Sequence, residues 1–136
     1  MVDAVQYSFL ADIHGRPLDG GKFYSLLLPV NMPPCNFWSL IVYDSETGLM
    51  INTDQPWPSV YSNCNGLKIN KDGSVDAWFG PKAEPGKQHN WIKTIPGKSW
   101  YLMLRLYDIN PTHTDNFWRP GELIETKQFH LNDWRK

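Results

Sequence analysis

The chain has 136 residues, with 13 Lys and Arg against 14 Asp and Glu, for a formal net charge of -1. That length fits one domain around one core, and the near-neutral charge argues against a nucleic-acid or anionic-membrane protein, which carries a basic excess. Its 11 Pro, 10 Gly, 7 Trp, 6 Tyr and 6 Phe suit pleated strands and tight turns and disfavour helices.

From the N-terminus, residues 4–13 alternate loosely and read as a strand. His14 to Gly21 is a turn, in which Pro17 fixes φ and the Gly pair can take positive φ. Residues 22–28 are a second strand, stopped by Pro29. Three prolines within 29–36 remove backbone donors and exclude regular structure there. Residues 37–43 form a clear strand, with Trp38, Leu40 and Val42 on one side and Phe37, Ser39, Ile41 and Tyr43 on the other. Asp44 to Gly48 then turns the chain into a short strand at 49–53.

From Asp54 to Asn65 the composition predicts a long irregular segment. Residues 67–70 and 74–79 bracket Lys71-Asp72-Gly73, a hairpin signal. A loop from Gly80 to Asn90 leads to a short strand at Trp91-Ile92. Residues 99–107 are the best strand in the chain. Trp100, Leu102, Leu104 and Leu106 lie on one face, and Tyr101, Met103, Arg105 and Tyr107 on the other. Both faces are mostly apolar, so this strand is expected at the centre of a sheet. Residues 108–118 read as loop and 121–130 as a last strand. No 12-residue window free of Pro and Gly has helical periodicity. About eight short strands predict an all-β antiparallel sandwich with little or no helix, as a single domain over 1–136.

Few residues select a chemistry. The longest apolar run, Leu26-Leu27-Leu28, is far below the roughly 20 residues of a membrane span. The first residues carry no basic-then-apolar leader, so a soluble, cytoplasmic protein is the default expectation. Cys35 and Cys64 are expected as unbridged thiols, because two cysteines at this spacing mark neither a metal site nor a disulfide framework. Asp12, Asp44, Asp54, Asp76, Asp108, Asp115, Glu84, Glu122 and Glu125 offer carboxylates for glycosidic chemistry, but their spacing selects no pair. His14, His89, His113 and His130 are isolated, so no metal or cofactor is expected. Ser39 lacks the Gly-x-Ser-x-Gly elbow of a serine nucleophile.

Arg105 stands out, because it interrupts an apolar strand. A buried guanidinium cannot lose its proton and needs a partner, so a structural ion pair is expected, with an anion-reading arginine as the other reading. Trp57, Trp78, Trp91 and Trp118 sit in or beside loops or on polar faces. Exposed rings of this kind stack on sugars, whereas buried ones fill the core.

Ten motifs occur together. They are Asp12-x-x-Gly15-x-Pro17-Leu18-Asp19-Gly20, Phe37-Trp38-Ser39, Tyr43-Asp44, Asn70-x-Asp72-Gly73-Ser74 and Phe79-Gly80-Pro81. They continue with Pro85-Gly86-Lys87, Asn90-Trp91-Ile92, Pro96-Gly97-Lys98-x-Trp100, Leu104-Arg105-Leu106-Tyr107 and Trp118-Arg119-Pro120-Gly121-Glu122. In this order they resemble the family called domain of unknown function 1214, from about residue 7 to 125, leaving 126–136 as a C-terminal tail. The resemblance implies a jelly-roll-like β-sandwich, with no established reaction, cofactor or catalytic residues. The family forms the C-terminal part of mostly bacterial proteins whose N-terminal part is another uncharacterised domain, number 1254. That companion is absent from these residues.

These features predict a non-catalytic binding or interaction module for a carbohydrate or a partner domain. Its candidate binding residues are Trp57, Trp78, Trp91, Trp118 and Arg105. The alternative is a hydrolase, with glycans as a candidate substrate, using loop carboxylates at one end of the sandwich. Without the companion, open edges and uncovered apolar surface also predict a homodimer.

Overall fold

Alternation with a period of two governs the architecture. A computed structural model describes residues 2–32, 35, 37–62, 66–83, 86, 88–109 and 118–126. Among them nine strands form: β1 (Val2–Phe9), β2 (Leu18–Asp19), β3 (Phe23–Leu28), β4 (Phe37–Asp44), β5 (Ser59–Tyr61), β6 (Val75–Gly80), β7 (Trp91–Lys93), β8 (Ser99–Ile109) and β9 (Ile124–Thr126). They build two sheets. The larger has the order β1-β8-β4-β5, with β2 continuing the line of β1 along β8, and the smaller has the order β7-β6-β3-β9. All pairings are antiparallel except β6 with β7, which is parallel. The fold is a β-sandwich, as the periodicity predicts.

The core lies between the sheets. Leu102, Leu104 and Leu106 of β8 and Leu40 and Val42 of β4 are fully buried, as are Leu26, Ala77, Phe79 and Ile92 of the smaller sheet. Trp100 joins the layers. Its ring packs edge-on against Tyr24 at 5.5 Å and stacks on Phe79 at 5.3 Å.

Four expected strands change. Residues 4–13 pair only as far as Phe9. There Asp12 Oδ1 accepts bonds from the backbone N–H groups of His14 and Arg16, which turns the chain outward until Pro17 bridges back to Ala11. Residues 49–53 make only a bridge from Met50 to Tyr43. The rest of that β4 edge is taken by β5, a strand inside the segment expected to be irregular. Residues 67–70 are not a strand, because the buried Asn90 side chain takes their place in the ladder. Its Nδ2 donates to the Lys68 and Asp76 carbonyls, and its Oδ1 accepts from Lys68 N–H. The last strand spans only Ile124–Thr126, and the rest of the 121–130 expectation falls outside the described residues.

Short turns are held by carboxylates, and that has a pH consequence. Asp12 is held below the usual carboxylate range by the N–H groups of Arg16 and His14, and Asp44 by the Glu46 N–H and the Lys98 ammonium. Asp54 is lowered by the Lys93 ammonium and Asp72 by the Ser74 hydroxyl and N–H. A depressed folded-state pKa contributes stability that is complete above the unfolded value of about 4 and is lost as pH falls further. The melting temperature is therefore expected to hold from neutral pH down to about 5 and to drop below about 4. A melting temperature unchanged down to pH 2.5 would contradict this assignment.

Cys35 is a free, half-buried thiol whose pKa burial pushes up, and Cys64 lies outside the described residues.

Candidate binding face

The outward-pointing residues of the larger sheet follow from the register. Because Leu40 and Val42 face the core, Phe37, Ser39, Ile41 and Tyr43 face out. The same parity sends Tyr101, Met103, Arg105 and Tyr107 of β8 outward. Pairing then joins these faces into rows: Tyr43 with Tyr101, Ser59 with Ile41, Met103 and Ser8, and Tyr61 with Ser39, Arg105 and Gln6. Phe37 pairs with Tyr107.

The result is an aromatic surface on a flat support. Tyr43 and Tyr101 stack at 5.2 Å with an interplanar angle of 12°. Phe37 lies 5.8 Å from Tyr61 and 5.7 Å from Tyr107, both tilted. All five rings, with Ile41, Met103 and Arg105, are half-buried. Tyr, Phe, Met and Arg dominate, and the outward positions of β4, β5 and residues 101–107 carry no Asp, Glu or Lys. That is the composition of an interface centre, where charged residues other than Arg are depleted.

Arg105 departs from its expected role. It is half-buried on the outer face, and Nε donates to Gln6 Oε1 at 2.9 Å, not to a carboxylate. Nη2 also contacts Met103 Sδ at 3.8 Å. The apolar strand misled the expectation, because its second face is covered by aromatic rings and not by a second sheet. Across the ladder Ser39 is 5% exposed, and its hydroxyl has no hydrogen-bond partner among the described residues.

The four tryptophans do not form one site. Trp118 is 6% exposed and belongs to the core, with its ring edge-on to Tyr7 at 5.9 Å and its Nε1 donating to the Pro29 carbonyl. Its place beside a loop gave a false sign of exposure, since residues 118–123 run along the core, with Gly121 N–H donating to the Leu27 carbonyl and Leu123 fully buried. Trp78 and Trp91 are direct partners across β6 and β7, on the outer face of the smaller sheet. Trp91 Nε1 donates to the Gly80 carbonyl at 3.1 Å, which fixes its ring. Trp57 is 68% exposed in the loop before β5.

Clefts gather little chemistry. One of about 600 Å³ runs between Gln6–Phe9 and Arg119–Glu122, with Glu122 as its carboxylate. Another of about 300 Å³ has Asp19 and Lys98 on its wall. A third, of about 260 Å³, is lined by Leu28, Trp38 and Leu67 and has no carboxylate. Among the described residues no group of three His, Cys, Asp or Glu side chains could hold a metal. No helix among them is long and apolar enough to cross a membrane.

A family model described as a protein of unknown function, DUF1214, matches residues 3–112. The chain belongs to this family. No curated protein matches. Two solved structures share the fold. The VPA0106 protein from Vibrio parahaemolyticus is 22% identical with a TM-score of 0.76, and the match covers 93% of this chain and 31% of that one. An uncharacterised protein from Burkholderia cenocepacia is 16% identical with a TM-score of 0.57, covering 91% of this chain and 35% of that one. This DUF1214 chain thus spans about a third of the length of those proteins. The sequence reading missed the aromatic face as a unit. Its signal was present in the matching alternation of 37–43 and 99–107, but not the pairing that joins them.

Proposed function

We propose that this DUF1214 chain is an interaction module that docks a folded protein domain on the aromatic face of its larger sheet. The observation that carries the reading is the half-buried field of Phe37, Tyr43, Tyr61, Tyr101 and Tyr107 around Arg105, without an outward Asp, Glu or Lys on those strands. The lengths of the solved relatives support it, since each has about two-thirds of its chain outside the match. In the Vibrio protein the corresponding sheet face is expected to lie against the rest of that chain. A face open to solvent there would overturn the reading.

The same face also gives the homodimer its simplest form. Two copies meet there only weakly, because neither brings a carboxylate to Arg105, so light scattering is expected to give the monomer mass of 15.8 kDa at micromolar concentration and a rise only toward millimolar. The double variant Tyr101→Asp, Met103→Asp places two carboxylates on the face and is expected to restore the monomer mass while leaving the fold intact. A wild-type mass fixed at the monomer value up to millimolar concentration would count against a sticky face.

A second reading is carbohydrate stacking at Trp78 and Trp91, favoured by their adjacency on the outer face of the smaller sheet. Tryptophan fluorescence that does not respond to neutral oligosaccharides would remove it. The hydrolase alternative has less support. Among the described residues the carboxylates that shift go down in pKa, where a general acid needs one raised, and the candidate side chains of Glu84, Asp108 and Asp115 lie outside them.

A further inference from the structure

We infer that the partner of the aromatic face presents an acidic side chain, and that Arg105 reads its carboxylate. The inference rests on the docking reading above and adds the chemistry of the occupant.

The first observation is the state of the guanidinium. An arginine carries five N–H donors and no acceptor. Here Nε is used by Gln6, and one Nη2 proton faces the weak acceptor Met103 Sδ. Nη1 has no hydrogen-bond partner among the described residues, and no ion pair to Arg105 occurs among them. Gln6 therefore holds the group by its Nε side and leaves the Nη1–Nη2 end, a complete end-on fork, without an oxygen acceptor among the described residues. A carboxylate fits that fork in a way a single-atom acceptor does not.

The second observation is Ser39. It is the register partner of Arg105 and points to the same face. Its hydroxyl is buried and unpaired among the described residues, a state that costs free energy until an acceptor arrives. Its unmet donor is a second polar group in the row of Arg105.

The third observation is the setting. Tyr61 stands in the same row and Tyr107 in the next, both in contact with Phe37, and the neighbouring outward positions carry no carboxylate. Covering such a surface with apolar groups strips water from the guanidinium. A partner without a compensating negative charge would then leave a buried, unpaired cation, which is strongly unfavourable. Charge complementarity thus selects Asp or Glu, set among apolar side chains, on the docking domain.

The test uses two small probes on the 136-residue protein: 4-hydroxyphenylacetate and its neutral twin, 4-hydroxyphenylacetamide. Backbone amide shifts are followed by NMR. The carboxylate is expected to shift the amides of Ser39, Tyr61, Arg105 and Tyr107 and to bind about five-fold tighter than the amide. That preference should vanish in Arg105→Gln and be mostly lost in Arg105→Lys, which keeps the charge without the fork. Equal binding of both probes on this face would overturn the carboxylate inference and leave the docking reading standing. Carboxylate-induced shifts scattered over surface lysines, or none on the face, would also overturn it. The docking reading itself falls only on the covered face of the longer relative and on the light-scattering result.

Discussion

Trp100→Ala is expected to lower the unfolding free energy by about 3–5 kcal/mol. Trp100 is 1% exposed and bridges the sheets through Tyr24 and Phe79, so its removal leaves a cavity between three strands that cannot all close in. Small domains are stable by about 5–15 kcal/mol in total, so the variant should melt on the order of 10 °C lower or more. The ring also has a blemish: Nε1 is buried with no partner among the described residues. Trp100→Phe removes that unpaired N–H and keeps most of the packing, so its cost is expected to be well below that of alanine. Urea titrations followed by circular dichroism measure both. An alanine variant within about 1 kcal/mol of the parent would show that the layers are not joined here.

Gly20→Ala is expected to cost about 3 kcal/mol, although it adds only a methyl group. Gly20 is buried at the end of β2, where its N–H donates to the Lys98 carbonyl and its own carbonyl accepts from Thr94 Oγ1. A Cβ at this position would collide with the Ile95 carbonyl and come within 2.8 Å of the Lys98 carbonyl oxygen. Backbone cannot rotate away as a side chain can, so the turn must shift and both bonds weaken. Gly73→Ala is the contrasting variant. Gly73 has φ +93° and open space around it, so its cost is the conformational one alone, about 1–2 kcal/mol. If the two variants melt together, the contact at Gly20 is not what holds the turn.

Much of the fold was legible in the chain. Alternation at 37–43 and 99–107 sorted the residues of β4 and β8 into the right two faces, without telling which face is inward, because side chains on a strand must point to opposite faces. That the described residues form no helix longer than the single 3-10 turn at Gln88–Asn90 followed from Pro and Gly spacing for the same kind of local reason. Where the reading failed, distant groups competed for one edge. Residues 49–53 lost most of the β4 edge to Ser59–Tyr61, and 67–70 lost a ladder partner to the Asn90 side chain. No local propensity encodes which of two segments wins an edge.

The candidate site divides along the same line. The sequence by itself determined that Arg105 sits among apolar neighbours and that Phe37, Tyr43, Tyr101 and Tyr107 each lie on the second face of a strand. Only the tertiary structure decided that these faces are one surface, by pairing Phe37 with Tyr107 and Tyr43 with Tyr101. It also decided that Arg105 meets Gln6 from the far end of the chain, and that Trp118 is core while Trp57 is exposed. The reason is physical. Which face a residue takes is set by its immediate neighbours, whereas what it meets there is set by strand pairing across about a hundred residues, through the packing of the whole core.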